Sequence, residues 1–312
     1  MFELERFINS KKKGVALVLL LSSVFVFFFY GKVLLSPNSY LFNPSGDGMK
    51  NYYTYAYYIQ NNEDNVEFEG MNYPYGESFM YTDCHPAEAY VIKVLSQYFP
   101  SIADYSIGIM NLAMVLSIVL TSLVLYLLFN RLKINQTLAI LAAIAITVLS
   151  PQLFRLTGGH YALSYSFFIP LIIYLLLSLE HNFKQKYLLL LSAIILLAFF
   201  THAYIGMILF VLLFTYATIG ITLNFKNRTI LYKYLKTLLA GFVPFVFFYC
   251  FVKLTDSHIG RTTNPWGIFE NHADMASVFF PVSGPLNSVK EMLFDSLEQK
   301  WEGWSYIGII AI

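Results

Sequence analysis

Charged residues are scarce in this sequence. They make up 12% of its 312 residues, whereas an average soluble domain carries about 25%. The net charge of +1 argues against a protein that binds nucleic acid by electrostatics. The two cysteines are Cys84 in a polar stretch and Cys250 in an apolar run, so neither a disulfide nor a thiolate metal site is expected.

Hydrophobic residues are abundant instead, at 57% of the total with a mean hydropathy of +0.57. Crossing the hydrocarbon of a bilayer takes about 20 mostly apolar residues. We therefore predict an all-α, polytopic transmembrane helical bundle of about seven to eight helices, as a single domain over 1–312. The predicted spans are 14–35, 105–129, 134–152, 161–180, 187–202, 203–223 and 237–254.

Both ends of the sequence carry apolar runs. The run after Lys11–Lys13 is longer than the core of a signal peptide and lacks an A-x-A cleavage site, which favours a retained anchor helix. A final run begins at Ser305 and is too short to span, so we expect the natural chain to continue through this helix.

The distribution of basic residues predicts the orientation in the membrane. With the N-terminus in the cytoplasm, the cytoplasmic segments hold twelve of the twenty basic residues and three of the nineteen acidic ones, as the positive-inside rule requires. Two long polar segments, 36–104 and 255–304, then share the outer face with turns near Arg155–His160 and Thr201–His202. We therefore expect a multi-pass protein of a bacterial plasma membrane with an extracytoplasmic site.

Asp47 is the candidate catalytic residue. It follows the first predicted span and lies between Gly46 and Gly48, which allow the backbone to approach a ligand closely. Its carboxylate could take a proton from an acceptor hydroxyl or coordinate a cation; the alternative is an ordinary Asp-Gly turn. Lys50 would share a helix face with Asp47 and pair with it or with a phosphate, unless it is a solvated surface lysine.

More polar chemistry follows in the same segment. Five tyrosines between Tyr52 and Tyr58 offer stacking surfaces and hydroxyl groups. Asp83 and His85 are two residues apart, so in an extended chain their side chains would point to one side and could bind a sugar diphosphate or a divalent cation. Two ligands are a weak metal signal, and the alternative is a turn that starts a helix over 87–99.

Three further candidates lie at the predicted outer ends of spans. Arg155 and His160 flank Gly158–Gly159, which we expect to open a helix and to offer backbone donors to an anion. A lipid-headgroup anchor is an equal alternative for these residues. His202 separates two apolar runs and should lie near His160, although a lone histidine at a helix end is more often structural.

The second outer segment opens with His258 and Arg261, which could bind a phosphate or belong to a loop surface. Later, residues 288–304 have apolar residues at helical spacing together with two tryptophans. This pattern predicts an amphipathic helix at the membrane interface.

In this arrangement the chain resembles the GT-C superfamily of polytopic glycosyltransferases, which use polyprenyl-phosphate-linked sugars. The resemblance rests on a short cytoplasmic N-terminus, one helix and a long first outer loop with an early aspartate, Asp47, followed by Gly158–Leu171 and the stretches THAY and EGWSYIG. The likeness in architecture covers essentially the whole chain. The chain departs from the family in having fewer helices and in lacking an early D-x-D pair.

The resemblance implies transfer of a sugar from a polyprenyl-phosphate carrier to a hydroxyl of a glycan, lipid or protein acceptor, with Asp47 as general base. Cationic groups would stabilise the departing phosphate, the helices would hold the prenyl chain, and the tyrosines would stack on sugar rings. The expected substrate-binding residues are Lys50, Tyr52, Asp83, His85, Arg155, His160, His202, His258 and Arg261.

Two other functions fit the same architecture. A transporter or flippase of lipid-linked glycans should carry polar or broken helices near the bilayer midplane, and the predicted spans carry almost none. A non-catalytic subunit of a membrane assembly would keep the fold without needing the chemistry of Asp47.

Overall fold

The computed structural model describes residues 11–258 and, beyond them, 260–263, 278, 280, 287, 288, 291 and 292. The chain divides into two units, Met1–Ser257 and His258–Ile312, and the helices below belong to the first. They are α1 (Lys11–Leu35), α2 (Gly46–Gln60), α3 (Pro86–Tyr98), α4 (Ser101–Asp104), α5 (Ser106–Arg131), α6 (Gln136–Leu149), α7 (Pro151–Gly158), α8 (Phe168–His181), α9 (Gln185–Thr201), α10 (Ala203–Leu223) and α11 (Arg228–Thr255).

Short elements complete this unit. A two-stranded antiparallel hairpin is formed by β1 (Glu67–Phe68) and β2 (Glu77–Ser78), and 3-10 turns lie at Pro37–Ser39, Phe79–Tyr81 and Tyr161–Ser164. The predicted interfacial helix over 288–304 and the apolar run from Ser305 lie almost entirely outside the described residues.

Among the described residues, five helical stretches are long and apolar enough to cross a membrane: α1, α5, α6 with α7, α10 and α11. Large apolar side chains on their outer surfaces are exposed, such as Phe28 at 80% and Leu239 at 58%. Water would penalise this exposure, whereas the hydrocarbon of a bilayer does not. The described chain is therefore the all-α bundle of an integral membrane protein, which confirms the predicted fold class.

Several helix boundaries differ from those predicted. The span expected over 134–152 is interrupted, because α6 ends at Leu149 and Pro151 begins α7. Proline suits the first turn of a helix, where its missing N–H has no intrahelical partner to lose. The span expected over 161–180 starts late, at Phe168, because a 3-10 turn precedes α8.

The break expected near Thr201–Tyr204 is confirmed. α9 ends at Thr201, and His202 caps the N-terminus of α10, its Nδ1 accepting a hydrogen bond from the Tyr204 amide at 3.2 Å. A side chain that accepts from a first-turn amide satisfies one of the donors that a helix leaves unpaired at its start. The break therefore has a local physical cause, although histidine is an uncommon cap.

The polar segment 36–104 packs onto the bundle instead of forming an open loop. Tyr52, Tyr55 and Tyr58 recur every third residue on one face of α2 and are at most 2% exposed. The Tyr52 hydroxyl donates to Asn111 Oδ1 in α5 at 2.6 Å, and Asn111 Nδ2 donates to two backbone carbonyl groups that follow α1. The expectation that these three rings face a ligand was wrong, because the helix turns them into the core.

A close backbone contact holds the start of α2 against the turn that follows α7. Gly159 has φ of +81°, and a Cβ at this position would lie 2.4 Å from the amide nitrogen of Gly48. Asn51 bridges the same two segments, since its Nδ2 donates to the carbonyl oxygens of Asp47 and Gly159 at 2.8 and 2.9 Å. Gly158–Gly159 thus close a helix, where we expected them to open one, because glycine readily adopts positive φ after a helix.

We predict that Gly159→Ala destabilises the protein more than two matched changes. Positive φ costs alanine about 1–2 kcal/mol, and the clash with Gly48 adds to that cost. Gly46→Ala introduces strain alone, because Gly46 has φ of +50° and no neighbouring atom within 4 Å. Gly31→Ala in α1 meets nothing within 4 Å and should be neutral or slightly stabilising, since alanine is the better helix former.

Thermal unfolding of the three variants in detergent, followed by intrinsic fluorescence, measures the difference. Equal losses for Gly159→Ala and Gly46→Ala would show that the Gly48–Gly159 contact is looser than the structure has it.

Candidate functional site

A cavity of about 700 Å³ lies where α2, the turn after α7 and the junction of α9 with α10 meet the end of α11. Its acidic and basic lining residues are Asp47, Asp83, His160 and His202, together with Lys253 at the end of α11. Most of the remaining lining is aromatic or aliphatic and comes mainly from α9, α10 and α11. These residues are Leu163, Phe199, Tyr204, Met207, Phe245, Phe248, Tyr249 and Val252.

Lys50 links the two carboxylates of the cavity. It lies one turn after Asp47 on α2, as expected, and its Nζ is 3.6 Å from Asp47 Oδ1 and 3.0 Å from Asp83 Oδ2. Partial burial alone would lower the pKa of Lys50, but Asp83 and then Asp47 outweigh burial and raise that pKa. The ammonium group therefore stays charged between two carboxylates.

Each carboxylate also faces a histidine. His160 Nε2 is 3.3 Å from Asp47 Oδ2, and His202 Nε2 is 3.5 Å from Asp83 Oδ1. Behind His160, Arg155 Nη1 lies 3.3 Å from the imidazole Nδ1. The polar groups thus form one continuous chain that runs from Arg155 through the two aspartates to His202.

The environment of Asp83 shifts its titration. Partial burial by itself raises the pKa of this carboxyl, but the hydrogen bond from His202 and the charge of Lys50 outweigh burial and lower the pKa to about 2. A carboxyl group with a lowered pKa is stabilised in its ionised form in the folded protein.

Asp83 and His85 do not share one side of the chain, contrary to expectation. Both adopt left-handed backbone conformations, with φ of +59° and +54°, so the alternation of an extended strand does not apply. Asp83 lines the cavity, whereas His85 is fully buried with its Nδ1 3.4 Å from Glu88 Oε2 and from the Tyr165 hydroxyl. Within the described residues, no three His, Cys, Asp or Glu side chains converge in a way that could hold a metal ion.

Tyr52 and Arg155 do not line the cavity. Tyr52 is in the core between α2 and α5, and Arg155 contacts the cavity through His160 and is not part of its lining. His258 and Arg261 belong to the second unit of the chain, outside the unit that contains the cavity. The structure therefore brings together Asp47, Lys50, Asp83, His160 and His202, with Arg155 behind them.

Lys253 is a cavity residue that the sequence analysis missed. It lies in the last turn of α11 and has no ion-pair partner in the part of the chain that the structure describes. The available signal was a single basic residue in the apolar sequence FVKLTD at the predicted outer end of a span. Ionisable residues at such positions are functional candidates.

Comparison with known proteins gives one match. Residues 19–311, most of the chain, match the family described as "Domain of unknown function (DUF6311)", and the chain belongs to that family. No curated protein and no solved structure matches the chain. That description names no activity, so the function has to be argued from the geometry of the cavity.

We predict that Asp83 makes the stability of the protein sensitive to acid. Because its pKa is lower in the folded state, its contribution is fully present above about pH 4 and is lost as the pH falls toward about 2. The side chain is half exposed, so solvent screening keeps the effect modest. Unfolding temperatures measured in detergent across this range should fall less steeply for Asp83→Asn than for the wild type.

The exposed Asp104 provides the control, and Asp104→Asn should keep the wild-type slope. Parallel curves for the wild type and Asp83→Asn would contradict the assignment.

Proposed function

We propose that this member of the DUF6311 family is a glycosyltransferase of the GT-C type, moving a sugar from a polyprenyl-phosphate carrier to an acceptor hydroxyl. The observation that carries the proposal is the amphiphilic cavity at one end of an apolar bundle, with Asp47 in its ionisable lining. A polyprenyl-phosphate sugar is amphiphilic in the same way, since its polar head is joined to a long apolar chain. The cavity can therefore receive both parts of such a donor.

The distribution of charge supports an extracytoplasmic site. α1 begins with Lys11–Lys13, and the connections from α5 to α6, from α8 to α9 and from α10 to α11 also carry basic residues. The positive-inside rule assigns these ends to the cytoplasm. The cavity lies at the other ends of the same helices and would face the outside of a bacterial plasma membrane.

Asp47 is the proposed general base. Its side chain is 54% exposed, and contacts from Lys50 and His160 fix its orientation at the cavity. As the acceptor hydroxyl gives its proton to Asp47, the acceptor oxygen attacks the anomeric carbon of the sugar. The bond from that carbon to the carrier phosphate breaks, and its electron pair leaves with the phosphate.

The departing phosphate needs positive charge or hydrogen-bond donors close by. Lys253 supplies a cation in the cavity lining. The aromatic side chains of Phe245 and Phe248 offer apolar contact to the first units of the prenyl chain. The apolar contact favours a lipid-linked donor over a water-soluble nucleotide sugar.

The alternatives make different demands on the spans. A transporter or flippase uses broken helices and ionisable groups near the midplane, whereas the described breaks at Ser150 and His202 lie near the cavity end of the bundle. The main ionisable cluster at the other end, formed by Glu180, Tyr216, Lys233 and Tyr234, lies near helix ends as well. This arrangement favours the enzyme over a transporter.

We predict that Asp47→Asn lowers the rate of sugar transfer by about 10²–10⁴-fold, the range typical for loss of a general base. Asparagine keeps the shape of the side chain and removes its basicity. The measurement is transfer from a radiolabelled polyprenyl-phosphate sugar to added glycan or lipid acceptors in membranes that contain the protein.

Asp104→Asn is the matched control, because Asp104 is an exposed aspartate outside the cavity lining. Wild-type rates in Asp47→Asn would remove the catalytic role and favour an assembly subunit. Translocation of intact lipid-linked sugar across vesicles, without any transfer, would favour the transporter.

A further inference from the structure

We propose that Arg155 is a positioning residue that acts through His160 to hold Asp47. The three side chains form a line in which Arg155 Nη1 is 3.3 Å from His160 Nδ1, and His160 Nε2 is 3.3 Å from Asp47 Oδ2. The kinetic consequence of this proposal rests on the proposed function of Asp47. The structural part of the proposal concerns which nitrogen of the His160 imidazole carries the proton, and it does not depend on that function.

The chemistry of the donors determines that pattern. A guanidinium group has five N–H donors and no acceptor, and it stays protonated in proteins. His160 Nδ1 must therefore accept from Arg155, which requires that nitrogen to carry no proton. A neutral imidazole then has its proton on Nε2, and this N–H donates to Asp47. Arg155 thus selects the tautomer that can bind the carboxylate.

His202 reaches the same tautomer through a different donor. Its Nδ1 accepts from the backbone amide of Tyr204 at 3.2 Å, so Nε2 carries the proton and faces Asp83 at 3.5 Å. The two histidines therefore hold the two aspartates in the same way. The donor is a side chain at His160 and the backbone at His202, so substitution can remove the donor at His160 alone.

The ionisable groups near His160 include Arg155 from its own turn and Asp47 and Lys50 from α2. The lining of the same cavity also includes Asp83, His202 and Lys253. Protonating His160 on Nδ1 would place an N–H against the guanidinium group of Arg155, and the contact would be lost. Without Arg155, the imidazole could carry its proton on either nitrogen. The tautomer with the proton on Nδ1 presents a lone pair to the Asp47 carboxylate, which it cannot bind.

The side chain of Arg155 can be changed without removing the turn. The amide of His160 donates to the carbonyl oxygen of Arg155 at 3.0 Å, and this backbone hydrogen bond is independent of the residue type. Arg155→Met removes the donor, whereas Arg155→Lys retains a cationic group that can only donate. The pair of variants separates the tautomer effect from simple loss of the turn.

The direct test is ¹⁵N NMR of histidine-labelled protein in detergent at neutral pH, with signals assigned by His→Gln variants. We expect His160 to show a protonated Nε2 and an unprotonated Nδ1 in the wild type, and a mixture of tautomers in Arg155→Met. Arg155→Lys should restore most of the wild-type pattern. The His202 signal should stay unchanged in every variant and serves as an internal reference.

Lys253→Met is the charge control, because Lys253 is a second cation in the lining of the same cavity. It should leave the His160 pattern as it is. An unchanged His160 pattern in Arg155→Met would overturn the proposal, and so would an equal change in Lys253→Met.

The kinetic test uses the transfer assay. Arg155→Met should lower kcat about ten- to hundredfold, by analogy with the loss of groups that orient metal-binding histidines, with KM for the donor nearly unchanged. A raised KM with normal kcat would instead mean that Arg155 binds the donor phosphate, and would overturn the positioning role. If the wild type transfers no sugar, the proposed function fails while the NMR result still decides the tautomer.

Discussion

His160 and Asp47 are 113 residues apart in the sequence, and they meet because two glycines permit their backbones to touch. A side chain at Gly159 would collide with the amide of Gly48, and the positive φ at Gly159 turns the chain back toward α2 immediately after α7. This contact positions one side of the cavity. It brings the turn that contains Arg155 and His160 to the helix that contains Asp47 and Lys50.

Lys50 stabilises the negative charge that collects at this contact. Two carboxylates, Asp47 and Asp83, face one cavity at the edge of an apolar bundle, where unpaired charge is costly. Lys50 Nζ lies within 3.6 Å of both carboxylates, and a histidine Nε2 lies within 3.5 Å of each one. Lys50 and Arg155 supply positive charge next to these two carboxylates. The cluster is therefore compatible with a partly apolar site and still presents a half-exposed carboxylate.

The sequence was sufficient for features that depend on composition and local spacing. Apolar runs predicted the membrane helices, and the three-residue offset between Asp47 and Lys50 predicted their contact. Prediction from sequence failed where the backbone conformation departs from the regular periodicity of a strand or a helix. Asp83 and His85 have left-handed backbone conformations, so the side chain of Asp83 lines the cavity while that of His85 is buried in the core. Pro151 divides one apparent span into two helices. The distances between His160, His202 and the aspartates depend on tertiary packing, which no local pattern encodes.

His202 shows how a membrane helix can end and supply a polar site at the same position. Its ring caps α10 through Nδ1, so one side of the imidazole satisfies a helix amide and the other faces Asp83. Apolar side chains of α9, α10 and α11 continue directly from this point along the cavity. The polar and apolar parts of the cavity are therefore joined at one helix break. In the proposed reaction, the lipid-linked donor would place its head group at this break while its chain stays among the helices, so it would not have to leave the membrane to react.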